Sequence, residues 1–360
     1  MTGFGNSKDR NVIAINQALI TAHHILELTA CQWLARVGPL ALQVLCYGNN
    51  CFIKSTKPQR KESLMNTLDA LANRQNPPTL LFGATSILGY SIAKLFPDTV
   101  LPFVTRANRA KTIRQWPVLN LEDPAWPAEV FAKHQPDLFI QCHAVCDVPR
   151  CEVAPNWARE VNIVYLKRVL DALPEKTRLV YVSSDHVFGG DGVYDEDSHP
   201  CPISVYGRTR VEAEELVLRR PGSLVIRVGL PIGPSPNGRT GHWDWLRYRI
   251  GKNLPVTIVH DEYRSVVWAH DLALRVMQLA ESREIGIRHV SATRVISRIE
   301  LANHLLTLFG EPANYRRESR HERSAPHLGH VELASIYRGA LHAPLQCVLD
   351  GPGVQGRYCD

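Results

Sequence analysis

Leu80-Leu-Phe-Gly-Ala-Thr-Ser-Ile-Leu-Gly89 joins an apolar strand to a helix through a glycine turn, and this junction sets the fold class. The apolar run over 79–82 has the length of a buried strand, and apolar residues over 87–96 recur at helical spacing. Gly83 stands at the junction, where a residue without a side chain permits the tight turn from strand into helix. A helix that opens straight off a strand presents its first backbone N–H groups and the positive end of its dipole, a seat for phosphate. Gly89 lets that helix lie close on the sheet, so the spacing is that of a dinucleotide-binding fingerprint. Ser86 holds the middle position where glycine is usual and narrows the approach. Thr85, Ile87 and Leu88 complete the segment expected to line a bound pyrophosphate.

Outward from this turn the pattern repeats. Short apolar runs over 79–82, 99–104, 118–121, 137–141, 178–183 and 223–228 alternate with helical patterns over 87–96, 127–134, 157–172 and 206–218. Strands alternating with helices make βαβ units, hence a parallel sheet covered on both faces. Right-handed crossovers then give an α/β, Rossmann-like doubly wound sheet with ligands at the carboxyl ends of its strands. The expected organisation is an N-terminal extension over 1–75, a dinucleotide-binding domain over 76–230, and a smaller α/β substrate lobe over 231–350 interleaved with it. Residues 351–360 form a tail. In the lobe, 231–241 reads as a loop, 242–250 as a helix, 256–259 as a strand, and 286–291 and 297–309 as a further strand and helix.

Composition sets the outer bounds. The 360 residues are 45% apolar and 21% charged, ordinary globular material with enough apolar surface for a sizeable core. A net charge of +6, from 41 basic and 35 acidic residues, is mild and spread out, and argues against a nucleic-acid partner. Nine cysteines at irregular spacing, without a signal-peptide pattern, point to free thiols in a reducing cytoplasm. Residues 11–45 carry helix-period apolar positions, but Gln32, Arg36, Pro39 and Gln43 interrupt the most apolar window, so no membrane span is expected. Met65 lies just upstream of the first core strand and is a candidate start of translation.

Three clusters carry chemistry. At the end of the second strand, Val104-Thr-Arg-Ala-Asn-Arg109 offers two arginines and no acid, the partners a 2′-phosphate needs, so NADP is preferred to NAD. After the fourth strand, Gln141-Cys-His-Ala-Val-Cys-Asp-Val-Pro-Arg-Cys-Glu152 holds three cysteines and a histidine, but no second close pair completes a zinc site, and no metal is expected. The third runs Arg178-Leu-Val-Tyr-Val-Ser-Ser-Asp-His-Val-Phe-Gly-Gly190 and on to Val205-Tyr-Gly-Arg-Thr-Arg210. It puts a hydroxyl, Ser184, at a strand's carboxyl end ahead of a Tyr-x-x-x-Arg. Residues four apart share a helix face, so Arg210 stands beside Tyr206 and is expected to favour the ionised phenol.

This third segment resembles the active-site region of extended short-chain dehydrogenases, and its Ser-Ser-Asp-x-Val-Phe, Tyr-x-Glu-Asp and Tyr-Gly order is most similar to the dTDP-4-dehydrorhamnose reductase family. The resemblance covers about residues 79–349. It implies an NADP-dependent reductase of a nucleotide-activated keto-deoxy sugar, with Tyr206 as general acid, Ser184 on the same oxygen, and Arg210 where the family has lysine. Arginine keeps the charge but is a rigid fork that gives up no proton, so the exchange is not conservative. The same resemblance places Ala144 and Val145 beside the nicotinamide ribose, and Asn162 at the family's helix asparagine. It puts Asp185, His186, Val187, Tyr194 and Arg264 on the substrate side, with the arginines of 316–323 as further candidates for the diphosphate. A nucleotide sugar is thus the expected partner, a homodimer the candidate assembly, and neither nucleic acid nor membrane is involved. Two alternatives stay open. One is a non-catalytic NADP-binding regulatory protein like the methionine adenosyltransferase β subunit, and the other an NAD-dependent nucleotide-sugar epimerase or dehydratase.

Overall fold

The computed structural model describes residues 43–47, 50–54, 78–105 and 113–351. The chain divides into two compact units, 1–76 and 77–360. In the first, β1 (Gln43–Tyr47) pairs antiparallel with β2 (Asn50–Lys54). The helical reading of 11–45 therefore fails at its end. Val, Leu, Tyr, Phe and Ile suit a strand, and a Gly-Asn pair between two such runs is a hairpin signal.

In the second unit six parallel strands form one sheet in the order β12-β8-β6-β5-β3-β4. They are β3 (Thr79–Phe82), β4 (Val100–Phe103), β5 (Leu138–Gln141), β6 (Arg178–Ser184), β8 (Leu224–Val228) and β12 (Gly286–Val290). Side chains along each strand alternate between two cores, as the two-residue period of a pleated strand demands. Leu81, Ile140, Val180, Val182, Leu224 and Ile226 face one, with α1 (Ile87–Leu95) packed over it. Leu80, Phe82, Phe139, Leu179, Tyr181 and Val225 face the other, which α2 (Trp126–His134) covers. Both faces are covered, so the sheet is doubly wound.

A second, smaller sheet has the order β13-β11-β15-β7, with β9 (Leu230–Ile232) also on β11. It joins β7 (Gly192–Tyr194), β11 (Tyr263–Trp268), β13 (Val295–Ser297) and β15 (His330–Leu333). Three readings of the sequence need correcting. Residues 118–121 form no strand: Val104 and Val118 make one parallel bridge, after which the chain turns away. Strand 286–290 belongs to the large sheet, not the lobe, because its alternation continues that of β8, with Ile287 opposite Val225 and His289 opposite Arg227. Likewise residues 231–232, read as the head of a loop, belong with Leu230 to a short strand on β11.

The β6-to-helix connection places the site. Helix α6 (Val205–Leu218) starts where the Ser204 hydroxyl accepts from the Gly207 amide at 3.0 Å, an N-cap that satisfies one of the helix's free donors. The Glu152 carboxylate accepts from Val205 N at 2.6 Å and ties that start to α3 (Val148–Val153). Between α4 (Pro155–Arg159) and α5 (Tyr165–Ala172) the helical run widens to a π turn over Glu160–Val164, which carries Asn162 into the interior.

Candidate active site

The site gathers at the carboxyl ends of β3, β5 and β6, where the strand order reverses about β3. Gly83 takes φ +82, and a Cβ there would lie 2.4–2.6 Å from the backbone of Cys142 and His143. The turn after β3 and the turn after β5 therefore touch through their backbones, and only glycine allows it. Gly89 is equally constrained, since its Cβ would come within 2.4 Å of Gly83 O. Ser86 is the N-cap of α1 and accepts from Gly89 N at 3.0 Å. Its hydroxyl thus uses one amide of the first turn, leaving those of Ile87 and Leu88 without an intrahelical partner, as at any helix start. Thr85 is half-buried in the same turn. Arg106 and Arg109 lie outside the described residues.

Asn162 fixes the second turn. Its Oδ1 accepts from Val145 N at 2.8 Å, and its Nδ2 donates to Val145 O at 3.2 Å and to Thr209 Oγ1 at 2.9 Å. Thr209 Oγ1 in turn donates to Tyr206 O at 2.7 Å. One buried amide therefore holds the Ala144–Val145 backbone in register with the helix that carries Tyr206. The Cys142 thiol is pushed up to about 12 by burial, against the pull of Arg210, so it is no nucleophile near neutrality.

Tyr206 is buried, on the helix that packs against β6, whose last residue is Ser184, and Ser184 is one of the groups that act on its phenol. His186 meets the ring edge-on at 5.2 Å between centroids. Arg210, also buried, donates through Nη2 to Val182 O. Its guanidinium lies 4.7 Å from the Tyr181 ring centre and 5.9 Å from that of Tyr206, while its Nε has no partner among the described residues. Sequence spacing led to the expectation of an ionisation-favouring cation. Here burial comes first and raises the Tyr206 phenol above the ordinary tyrosine value, outweighing the pull of Arg210 and of Ser184. The phenol keeps its proton. His143 and His186 are lowered to about 4, by burial first and then by Arg210 and Arg264 respectively, so both rings are neutral near pH 7.

The expected substrate side divides. Asp185 is fully buried, accepts from Ser184 Oγ at 3.1 Å, and takes a bidentate pair from Arg264, Nε to Oδ2 at 2.8 Å and Nη2 to Oδ1 at 2.5 Å. Arg264 Nη1 also lies 3.6 Å from Glu262 Oε1, whose other oxygen is 2.8 Å from His327 Nδ1. Arg264 is thus committed to two carboxylates of the chain itself. Val187 packs into a small core with Phe188, Leu328, Val331 and Leu333. Tyr194 stacks on Phe188 at 4.2 Å and donates its hydroxyl to Gly190 O at 2.9 Å, a packing position. Of the later arginines, Arg320 pairs with Asp191 and Arg323 with Glu318. Gly189, Ile203, Arg320, Arg323 and His327 border a cavity of about 450 Å³.

Some structural partners were missed. Glu214 accepts from Ser183 Oγ and from Arg227, whose Nη2 lies 2.7 Å from Oε2, and so binds α6 to β6 and β8 from behind the site. The signal was present in Arg227, a charge inside an apolar strand that must find a buried partner. Glu152 and His242 gave no comparable signal, because a single polar residue in a loop or at a helix start is ordinary.

A family model described as the RmlD substrate binding domain matches residues 78–327. The chain is 28% identical over 250 residues to methionine adenosyltransferase 2 subunit beta of Xenopus tropicalis, 66% of this chain and 74% of that one. It is also 28% identical over 208 residues to dTDP-4-dehydrorhamnose reductase of Mycolicibacterium smegmatis, covering 55% and 63%. Among solved structures, dTDP-4-dehydrorhamnose reductase of Bacillus anthracis in complex with NADP superposes with a TM-score of 0.63 at 23% identity, over 76% of this chain and 95% of that one.

Proposed function

Because the chain belongs to the RmlD substrate binding domain family, we propose that it is an NADPH-dependent reductase of a nucleotide-activated keto-deoxy sugar. The observation that carries this reading is the buried Tyr206 phenol, kept protonated, on the helix packed against β6, at whose carboxyl end Ser184 stands. A group poised to give a proton belongs where an alkoxide forms.

The residues present fit a dinucleotide. Gly83 and the backbone of Cys142 and His143 make a close, side-chain-free seam at the sheet's switch point, and the α1 N-terminus offers two free amides beside it. Ile87, Leu88 and the Ala144–Val145 backbone would hold the cofactor, which supplies hydride when bound. NADP is favoured over NAD by the arginines at 106 and 109 in the sequence, and the Bacillus anthracis relative carries NADP on the same fold. The domain division at about residue 230 and the cytoplasmic placement belong to the same proposal.

The chain's own residues then do three things. Tyr206 gives its proton to the oxygen of the reduced carbonyl, help of the kind worth about 10² to 10⁴ in rate. Ser184 would hydrogen-bond that oxygen by turning its single hydroxyl proton away from Asp185, which accepts it at 3.1 Å here. Asn162 keeps the Val145 turn and the Tyr206 helix at one spacing, so donor and acceptor stay in register.

A second reading, a regulatory NADP-binding protein, is favoured by Arg210: its guanidinium is tied to Val182 O and the Tyr181 face rather than free to meet ribose and phenol together. The similarity to methionine adenosyltransferase 2 subunit beta points the same way. One experiment separates the two. NADPH is titrated by fluorescence, and its oxidation is followed with dTDP-4-keto-6-deoxy sugar, for the wild type and Arg210→Lys. Turnover in either form supports the reductase; binding without turnover in both supports the regulator; no NADPH binding overturns both.

A further inference from the structure

Arg298 is the first residue of α9 (Arg298–Phe309), and His242 sits in the first turn of α7 (Gly241–Gly251). Both ring nitrogens of His242 face the guanidinium, Nε2 at 2.5 Å from Nη1 and Nδ1 at 3.2 Å from Nη2. No carboxylate lies within ion-pair distance of Arg298 among the described residues, whereas Arg227, Arg264, Arg288, Arg294, Arg320 and Arg323 each have one. Glu262 feels its charge, but spends its own oxygens on Arg264 and His327. The imidazole is no anion either: burial, then Arg298 itself, holds His242 well below its ordinary range. A half-buried guanidinium whose hydrogen-bond partner is a neutral ring is poorly compensated, and leaves donors for a true anion.

The place of this pair tells which anion. Gly241, at φ +79 and next to His242, abuts the fingerprint helix: a Cβ on it would lie 2.0 Å from Ile87 Cδ1. The α7 start therefore roofs the α1 start, where the free amides of the fingerprint turn are. On its other side Arg298 donates its backbone N–H to Glu262 O at 3.1 Å, next to the Arg264–Asp185 pair below Ser184. Arg298 is thus linked on one side, through His242 and Gly241, to the start of the fingerprint helix, and on the other, through Glu262, to the Arg264–Asp185 pair, so a ligand lying between these two places would pass it.

We propose that Arg298, oriented by His242, is an anion clamp for a diphosphate lying between these two places. The inference rests on the reading above. Two ligands carry that group, the dinucleotide and the nucleotide sugar, and either could meet the fork.

The test compares wild type, Arg298→Met, Arg298→Lys and His242→Gln. Three probes are titrated: NADPH by fluorescence, dTDP by calorimetry, and inorganic pyrophosphate by thermal shift. Removing a charge-assisted contact is expected to weaken the affected ligand by about ten- to a hundredfold, with part regained in Arg298→Lys. Arg298→Met also takes away a charge that holds Glu262 ionised, so a lower melting temperature is expected whether or not Arg298 binds ligand, and the titrations, made on folded protein, decide between the roles. Weakening of NADPH alone assigns the clamp to the cofactor, and of dTDP alone to the substrate. If wild type binds NADPH and dTDP and all variants match it, the clamp is overturned and the reductase reading stands. If only pyrophosphate binds, and only when Arg298 is present, the clamp stands and the reductase reading falls. If wild type responds to none of the three, both fall.

Discussion

Replacing Asp185 by alanine removes the carboxylate that both orients Ser184 and neutralises Arg264. Two charge-assisted bonds vanish, at 2.8 and 2.5 Å, each worth about 1.5–3 kcal/mol. Arg264 keeps only Glu262, at 3.6 Å, so the guanidinium is left buried with half its compensation. Breaking a buried pair from one side costs about 3–5 kcal/mol, and the remaining glutamate puts the expected loss near the lower end, about 3 kcal/mol. The assay is urea unfolding of the wild type, Asp185→Ala, Arg264→Met and the double variant. Because an apolar pair of similar volume can replace a buried ion pair without loss, the double variant should recover most of the stability, with a coupling of about 2 kcal/mol or more. A loss below about 1 kcal/mol for Asp185→Ala, or strict additivity, would refute the reading of Asp185 as the buried partner on which the Arg264 charge depends.

In the proposed reduction, Tyr206→Phe should lower turnover by about 10² to 10⁴ while NADPH affinity holds, checked by steady-state kinetics beside fluorescence titration. Gly83→Ala should abolish dinucleotide binding and destabilise the fold by more than about 1 kcal/mol, because φ +82 is strained for alanine and its Cβ meets the His143 backbone; wild-type affinity in a titration would contradict the close seam. Stability should fall with acid in two stages. His143 and His186 are lowered to about 4 in the fold, so below about pH 6.5 the unfolded chain takes up protons the native one refuses. Glu262 is held down against the effect of burial by Arg298, the His327 hydrogen bond and Arg264, so its contribution is present above the ordinary glutamate range and lost below it. Glu262→Gln should flatten the second stage of a pH series of unfolding midpoints and leave the first intact.

The legibility of this chain follows its periodicities. Strands of the large sheet alternate cleanly, and their bounds lie within a residue or two of the expectation because both faces are buried and every residue of the run is constrained. Residues 118–121 misled because an apolar Val-Leu-Asn-Leu run looks the same whether it pairs along its length or at one bridge. Strand 286–290 misled for another reason: which sheet an edge strand joins is decided by pairing with residues 62 positions away, Gly286 with Leu224 through Val290 with Val228. At the site, motif spacing predicted which groups meet but not their balance of forces. Arg264 reads as a phosphate partner until its two carboxylates are seen, and they come from different elements. Arg298 has no motif at all; only the lack of a carboxylate at ion-pair distance among the described residues, a property of three dimensions, marks it out.

The same balance bears on what the Arg210 exchange does. A lysine at this position would be a flexible point charge able to approach the phenol, lowering its pKa and readying it as a base as well as an acid. Arg210 is instead anchored by Val182 O and spends its face on Tyr181, which leaves burial as the dominant influence on Tyr206. A phenol that stays protonated is the right starting state for giving a proton to a reduced carbonyl, and the wrong one for taking a proton from an alcohol. The substitution therefore does not remove the acid. In the proposed reduction it would make the reverse step less easy, with the cost falling on how readily the phenolate left behind is reprotonated between turnovers.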